Sequence, residues 1–265
     1  MLNSILIVGC LGLFFGIFLT FIYTKFKIDE NPLYSKVYEL LPKGNCGACG
    51  YAGCSAFAEV LIENKVTPEK CVMIGEKELS EICKLLGIEK IQKEKFVARI
   101  CCYGGTNAKK KFEYTTIKTC NVINSIFDTN LECVYGCLGF GDCVRICPVN
   151  AIEMKENGLP EINEEKCIGC GKCVQICPKK IIKLLPYEKK VYVACSSLDK
   201  GATVIKICRS GCIGCGKCAK ACSENAIKIE NNLAIIDYEK CNNCGKCAEE
   251  CPRKIIFYIK ISTLA

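Results

Sequence analysis

The longest apolar run of the chain lies at its N-terminal end. Residues 5–23 are apolar or glycine apart from Thr20, and an apolar helix of that length crosses the hydrocarbon core of a bilayer. No small-x-small cleavage site follows the run, which favours a retained helix over a cleaved signal peptide. Lys25 and Lys27 flank only its C-terminal end. The pattern predicts a single-pass helix in the cell membrane, with the rest of the chain in the cytoplasm.

Short amphipathic segments follow this run. Their apolar spacing and flanking residues predict helices at residues 32–41, 55–64 and 77–86, the last ended by Gly87. Thr67 and Pro68 are typical of a helix start and predict one further helix there. The pattern indicates a small, mainly helical domain.

The C-terminal half alternates short strands with turns. Residues 151–154 and 159–162 flank Asn157-Gly158, the strongest short hairpin signal, and AIKIENNLAIID repeats the scheme around Asn231-Asn232. Such small sheets bury too little apolar surface to be stable alone, so bound metal must contribute to folding.

The predicted fold is therefore α+β. It comprises a transmembrane anchor (1–27), an N-terminal domain (28–90), a connecting region (91–130), a first small domain with strands (131–190), a linker (191–208) and a second such domain (209–265).

The amino-acid composition indicates metal chemistry. The chain has 27 cysteines among 265 residues and no histidine. Cysteine at this density in a reducing compartment indicates metal binding or redox work rather than disulfides. The absence of histidine excludes Rieske centres and zinc sites with mixed Cys and His ligands.

The cysteines recur in one motif. CIGCGKCVQICP begins at Cys167, and its x2, x2 and x3 spacing with a final proline is typical of [4Fe–4S] ligation. CIGCGKCAKACS begins at Cys212, CNNCGKCAEECP at Cys241, and a looser CVYGCLGFGDCVRICP at Cys133. Zinc is less favoured, because a structural zinc site uses two separated pairs of ligands. Four motifs predict two ferredoxin-like domains, 131–190 and 209–265, with two clusters each.

In a two-cluster ferredoxin the fourth cysteine of each motif binds the cluster of the other motif. This rule assigns four ligand sets. They are Cys133, Cys137, Cys143 and Cys177; Cys147, Cys167, Cys170 and Cys173; Cys212, Cys215, Cys218 and Cys251; and Cys222, Cys241, Cys244 and Cys247.

A further site is predicted in the N-terminal domain (28–90), which we call the N-terminal cluster domain. Cys46, Cys49 and Cys54 lie in a glycine-rich loop, and Cys71 follows sixteen residues later. The glycines permit a tight wrap around a cluster. We predict a fifth [4Fe–4S] cluster here, while a [2Fe–2S] cluster and zinc stay open as alternatives.

Seven cysteines remain outside these sets. Cys10 lies in the predicted anchor, and Cys83 is predicted as a buried apolar residue. Cys101, Cys102 and Cys120 could contribute to an extra cluster or a labile disulfide, although no chemical role is favoured, and Cys195 and Cys208 are interpreted as structural thiols.

The formal charge of +8 does not indicate nucleic-acid binding here. A cubane with four thiolate ligands carries a net charge of about −2, so five clusters would more than offset the basic excess. We predict no nucleic-acid partner. The chain has no GxGxxG nucleotide loop and no recognisable flavin site, so we expect no complete active site on it.

The order of parts resembles the B subunit of the Rnf complex, the ion-translocating ferredoxin:NAD+ oxidoreductase, in a long form with two ferredoxin domains. GNCGACGYAGCSAFAE carries the resemblance most specifically. The resemblance implies an iron–sulfur subunit of a translocase that accepts electrons from reduced soluble ferredoxin. It passes them towards membrane and flavin subunits and NAD+, coupled to Na+ or H+ translocation.

The alternatives belong to other functional classes. One is a membrane-tethered polyferredoxin that serves a non-pumping dehydrogenase or hydrogenase. The other is a purely structural metal protein.

Overall fold

The structure is a computed structural model that describes residues 2–25, 31–89, 94–114, 116 and 118–259. Ten helices and eight strands occur in these ranges. The helices are Leu2–Lys25 (α1), Pro32–Leu40 (α2), Cys54–Ile62 (α3), Glu76–Leu86 (α4), Cys120–Phe127 (α5), Asp142–Arg145 (α6), Lys172–Ile176 (α7), Gly201–Ile207 (α8), Lys217–Lys220 (α9) and Lys246–Glu249 (α10). The strands are Phe96–Ile100 (β1), Ile152–Met154 (β2), Pro160–Ile162 (β3), Ile182–Pro186 (β4), Val191–Val193 (β5), Ile227–Glu230 (β6), Leu233–Ile236 (β7) and Ile256–Tyr258 (β8).

Helix α1 covers the apolar run, and its side chains from residue 9 to residue 23 are exposed. Within the described residues, no helix reaches the combination of length and apolarity needed to cross a membrane. The predicted transmembrane anchor is therefore not supported. Its flanking residue Lys27 lies outside the described residues.

The N-terminal cluster domain is helical, as its periodicity predicts. Helices α2, α3 and α4 share a core in which Val37, Phe57, Leu61 and Ile82 are buried. Residues 67–71 differ from the prediction, because they form only a 3-10 turn, Pro68–Lys70. The backbone is extended at Cys71. This cysteine lies in the core next to α3.

Helix boundaries in this domain follow local chemistry. The Asn31 side chain accepts a hydrogen bond from the Leu33 backbone N–H at the start of α2. Gly87 ends α4 in the left-handed conformation, with φ 67°, a backbone shape that glycine adopts at little cost.

Four two-stranded antiparallel sheets build the C-terminal part. The β2–β3 and β6–β7 pairs are the two hairpins expected from sequence. The other two pairs are long-range: β1 pairs with β4, and β5 pairs with β8. Each long-range pair brackets one hairpin and two cysteine motifs. We call residues 96–186 module 1 and residues 191–258 module 2.

The long-range pairs involve segments without a sequence prediction. Strand β1 lies in the predicted connecting region, and β5 lies in the predicted linker. In β1, Arg99 is 2 % exposed and its guanidinium makes two hydrogen bonds, of 2.8 and 3.1 Å, to the Glu164 carboxylate. The guanidinium also lies over the ring of Tyr192 from β5, so a cation–π contact links β1 of module 1 to β5 of module 2.

Backbone hydrogen bonds also join the modules. The Lys109 N–H donates to the Ile207 carbonyl at 2.9 Å, and the Arg209 N–H donates to the Asn107 carbonyl at 2.9 Å. The Ser196 hydroxyl donates to the Cys101 carbonyl at 2.8 Å. These contacts fix the end of α8 against the loop that follows β1.

Candidate metal centre

Module 2 brings its eight motif cysteines into two groups. One cavity is lined by Cys212, Cys215, Cys218 and Cys251. A second cavity is lined by Cys222, Cys241, Cys244 and Cys247. In each group three cysteines come from one motif and the fourth comes from the other motif. This crossed arrangement is the one that two-cluster ferredoxins use.

Module 1 gathers a comparable set from its second motif. Burial contributes most to raising the pKa of Cys173 to about 12, and the nearby thiols of Cys167, Cys170, Cys143 and Cys147 add to the shift. Burial also raises the pKa of Cys170, and the Cys147 thiol adds to that shift. Cys147 comes from the first motif, so the crossing recurs. Its sulfur accepts a hydrogen bond of 3.3 Å from the Ala151 N–H.

The remaining set of module 1 differs from the prediction in one residue. Cys137, Cys143 and Cys177 line one cavity, as predicted, but the fourth cysteine there is Cys120. Cys133 lines a neighbouring cavity instead. Cys120 begins α5, far from every motif, and burial is the main cause that raises its pKa.

The exchange follows from the register of the first motif. When the motif is aligned on its fourth cysteine, Cys147, the segment CLGFGDC matches the CIGCGKC segments that begin at Cys167 and Cys212, with Cys137 in first position and Phe140 where the second cysteine would stand. Gly139 and Gly141 have φ of 79° and 73°, close to the 64° and 72° of Gly214 and Gly216. The loop geometry is thus retained, and it lacks one thiol.

Asp142 holds the backbone at Cys120. Its buried carboxylate accepts hydrogen bonds from the backbone N–H groups of Cys120, at 3.0 Å, and Asn121, at 3.2 Å. A carboxylate at a helix N-terminus satisfies amides that have no partner within the helix. Arg145 pairs with the same carboxylate. The motif therefore holds the start of α5 at the cavity it completes.

The sequence signal for this ligand was available but weak. Aligning the motifs on their fourth cysteines shows that Phe140 stands where a ligand is expected, whereas assigning ligands by counting cysteines makes Cys133 a ligand. Nothing in the local sequence of Cys120 marks it as a ligand.

The N-terminal cluster domain places three of its four predicted ligand cysteines at one core. Cys71 is buried, with Cys49 and Cys54 packed against the same core. Cys46 is half-buried in the preceding loop. The Asn45 side chain accepts a hydrogen bond of 2.8 Å from the Cys54 N–H, which folds the loop back onto the helix start.

Burial dominates the electrostatics of these groups. Burial raises the pKa of Cys143, Cys218 and Cys247 to about 11 each. Without metal these thiols stay protonated, since a buried thiolate lacks compensation. Iron supplies the missing positive charge and binds the thiolate. All-thiol, apolar surroundings of this kind suit an iron–sulfur cluster.

In the part of the chain that the structure describes, no three Cys, Asp or Glu side chains stand close enough to hold a single metal ion. The four thiolates around a cubane each bind a different iron atom and are spaced more widely.

Two family models match the chain. One, described as “Putative Fe-S cluster”, covers residues 41–73. The other, described as a 4Fe-4S dicluster domain, covers residues 132–181 and 211–255. The matches coincide with the N-terminal cysteine loop and with the motif regions of both modules.

Curated relatives match over most of their length, and each is the B subunit of its complex. The relative from the proton-translocating ferredoxin:NAD(+) oxidoreductase complex of Clostridium ljungdahlii is 46 % identical over 239 residues, which are 89 % of this chain and 84 % of the relative. The relative from the ion-translocating oxidoreductase complex of Methanosarcina acetivorans is 40 % identical, over 97 % of both chains. The relative from the Na(+)-translocating ferredoxin:NAD(+) oxidoreductase complex of Acetobacterium woodii is 39 % identical, over 91 % of this chain and 74 % of the relative.

Identity at this level, over nearly the whole chain and including both modules, confirms the resemblance drawn from the cysteine loop and the tandem motifs. The chain belongs to the family of Rnf B subunits, the iron–sulfur subunits of ion-translocating oxidoreductase complexes.

Proposed function

We propose that this chain is the electron-transfer subunit of a membrane-bound ferredoxin:NAD+ oxidoreductase that couples electron flow to Na+ or H+ translocation. The observation that carries the proposal is the grouping of distant cysteines around shared, apolar cavities in both modules. A [4Fe–4S] cluster held in such a site accepts and donates single electrons. The chain itself supplies thiol ligands, backbone N–H groups and shielding from water.

The cavities support the two ligand sets of module 2 and indicate one change in module 1, and the other sets keep the sequence assignment. Three sets keep the sequence assignment, namely Cys147 with Cys167, Cys170 and Cys173; Cys212 with Cys215, Cys218 and Cys251; and Cys222 with Cys241, Cys244 and Cys247. The set of Cys137, Cys143 and Cys177 takes Cys120 as its fourth member. Cys46, Cys49, Cys54 and Cys71 hold the N-terminal cluster, the fifth [4Fe–4S] cluster assigned from the motifs and the cysteine loop.

Backbone amides would tune these sites. The N–H groups of Ala98, Ala151 and Ala226 donate to the sulfurs of Cys167, Cys147 and Cys222 at 3.5, 3.3 and 3.3 Å. Hydrogen bonds to ligand sulfurs and burial both set the reduction potential of a cluster. The chain thus holds the means to order its clusters by potential.

Membrane attachment is part of the proposal. Helix α1 exposes Leu13, Phe14 and Ile17, each by more than 60 %, and water disfavours such a surface. Attachment of α1 to lipid and to the membrane and flavin subunits would place the modules on the cytoplasmic side, where soluble ferredoxin delivers electrons. The relatives named for proton and Na(+) translocation support such an assembly.

Reduction by ferredoxin tests the electron-transfer role. We expect the anaerobically purified full-length chain to be brown and to lose its visible absorbance on mixing with a reduced two-cluster ferredoxin, while oxidised ferredoxin leaves it unchanged. Cluster signals in electron paramagnetic resonance should appear together with the loss of colour. A colourless chain, or clusters that stay oxidised in the presence of reduced ferredoxin, would contradict the proposal.

Copurification tests the membership of a complex. A tagged chain solubilised from native membranes should carry multi-span and flavin-containing subunits with it. Release together with a soluble dehydrogenase or hydrogenase would support the tethered polyferredoxin instead.

A further inference from the structure

Four cysteines line one more cavity, between the modules, and none of them lines the motif cavities described above. They are Cys102, Cys133, Cys195 and Cys208. The empty space of this cavity, with its opening to solvent, is about 380 Å³, against about 390 Å³ for the cavity of Cys120 and about 320 Å³ for each cavity of module 2. In size and in thiol content it matches the three motif cavities.

Backbone pairing brings the four cysteines together from distant segments. Residues 107–111 lie between two other segments, since the Glu132 N–H donates to the Lys109 carbonyl and the Lys109 N–H donates to the Ile207 carbonyl, each at 2.9 Å. Cys133 directly follows Glu132, and Cys208 directly follows Ile207, so these hydrogen bonds bring the two cysteines to the same segment. Arg253 adds a hydrogen bond of 2.7 Å to the Cys208 carbonyl.

Cys102 and Cys195 occupy equivalent places in the two modules. Each follows the first strand of its module by two residues, after β1 and β5 respectively. The Cys102 sulfur accepts hydrogen bonds from the N–H groups of Gly104, at 3.5 Å, and Cys137, at 3.3 Å. The Cys195 sulfur accepts them from Ser197, at 3.5 Å, and Cys212, at 3.3 Å.

Three of the four thiols, those of Cys133, Cys195 and Cys208, are buried. Gly104 lies beside two of the sulfurs, since a Cβ there would be 3.5 Å from the Cys102 sulfur and 3.9 Å from the Cys208 sulfur, both ordinary van der Waals contacts. The Cys102 and Cys208 side chains therefore face the same space.

We infer that Cys102, Cys133, Cys195 and Cys208 hold a sixth [4Fe–4S] cluster that bridges module 1 and module 2. The inference rests on the proposed function, because it presumes an iron–sulfur protein. Cys137 and Cys212 are ligands of the adjoining cavities and donate to Cys102 and Cys195. The bridging site is thus in direct backbone contact with one motif site on each side, and it closes the gap between the two modules for electron transfer.

Native mass spectrometry of the anaerobically purified full-length chain tests the inference by counting intact Fe4S4 units. We expect six units, or about twenty-four iron atoms per chain. Five units, or five units with one zinc ion, would overturn the inference while leaving the proposed function in place. A chain without any Fe4S4 unit would overturn both.

A matched pair of double variants identifies the ligands. Cys102→Ala with Cys208→Ala removes two of the four proposed ligands, and we expect one intact Fe4S4 unit fewer than in the wild type. The control, Cys83→Ala with Cys101→Ala, removes two buried thiols outside every cavity described above and should retain all six. Equal counts in the two variants would overturn the assignment.

A second pair separates Cys133 from the neighbouring site. Cys102→Ala with Cys133→Ala should cost one intact unit, because both residues belong to one site. Cys120→Ala with Cys133→Ala should cost two units, because the residues belong to different sites. Loss of a single unit in the latter variant would return Cys133 to the set of Cys137. Should a variant not fold, the wild-type count still decides the existence of the bridging cluster.

Discussion

At the residue scale, the decisive features are individual side chains that compensate for a departure from the repeated motif. Phe140 takes the place of a ligand, and Cys120 supplies the missing thiol at the same cavity. Asp142 makes the exchange possible, because its two carboxylate oxygens accept from the first amides of α5. One acidic residue within the motif thus determines where a ligand outside the motif is held.

We expect Asp142→Ala to labilise the cluster of Cys120, Cys137, Cys143 and Cys177. Removal of a helix-capping acceptor costs about 0.5–2 kcal/mol of helix stability, so α5 would fray at Cys120. Iron release to a chelator, followed anaerobically, should show one cluster lost much faster than the others.

The conservative variant Asp142→Asn keeps one acceptor oxygen, so we expect it to release iron more slowly than Asp142→Ala. Glu113→Ala removes an exposed carboxylate of the nearby loop and should change nothing. Identical release from Asp142→Ala and the wild type would contradict the positioning role.

At the element scale, the motif loops depend on close backbone approach. Gly214 has φ 64°, and a Cβ there would lie 2.9 Å from the Asn232 carbonyl oxygen at the tip of the β6–β7 hairpin. Gly216, two residues later, has φ 72° but no atom within 4 Å of its Cβ position. The hairpin therefore packs directly on the cluster loop, and only one of the two glycines is needed for that contact.

Alanine at these two positions should have unequal effects. A left-handed backbone conformation costs a non-glycine residue about 1–3 kcal/mol, which both variants incur. Gly214→Ala adds a clash with backbone that cannot move without displacing the hairpin. We expect Gly214→Ala to lower the denaturant midpoint of module 2 more than Gly216→Ala, with earlier loss of iron. Equal midpoints for the two variants would show that the hairpin does not constrain the loop.

At the scale of the whole molecule, the cavities are the centres around which small sheets are arranged. No sheet in the described residues has more than two strands, and two strands alone are marginally stable in water. In module 2, four of the predicted ligand cysteines, Cys212, Cys218, Cys247 and Cys251, are buried in its hydrophobic core. Clusters bound there would contribute much of the folding free energy.

Iron removal should therefore unfold both modules. We expect anaerobic chelation of iron to abolish the strand signal in far-ultraviolet circular dichroism and to open the modules to limited proteolysis. Reconstitution with iron and sulfide should restore both properties. A metal-free chain with an unchanged spectrum and unchanged protease resistance would show that apolar burial alone maintains the fold.

Sequence alone determined the cluster chemistry, the two hairpins and the helices of the N-terminal cluster domain, because local spacing and turn residues encode them. The cysteine spacing and the final prolines identify the motifs wherever they occur in the chain. The pairs β1–β4 and β5–β8 were not predicted, since their strands are short and their partners lie far away in sequence.

Only the tertiary structure decided which thiols meet. Cys102, Cys120, Cys195 and Cys208 carry no local signal, and Cys133 satisfies the spacing of a motif whose cavity it does not line. Local patterns fix how a loop wraps, whereas the membership of a cavity depends on strand pairing and on contacts between modules. The number and sharing of the clusters are therefore properties of the folded chain, and spacing along the sequence does not determine them.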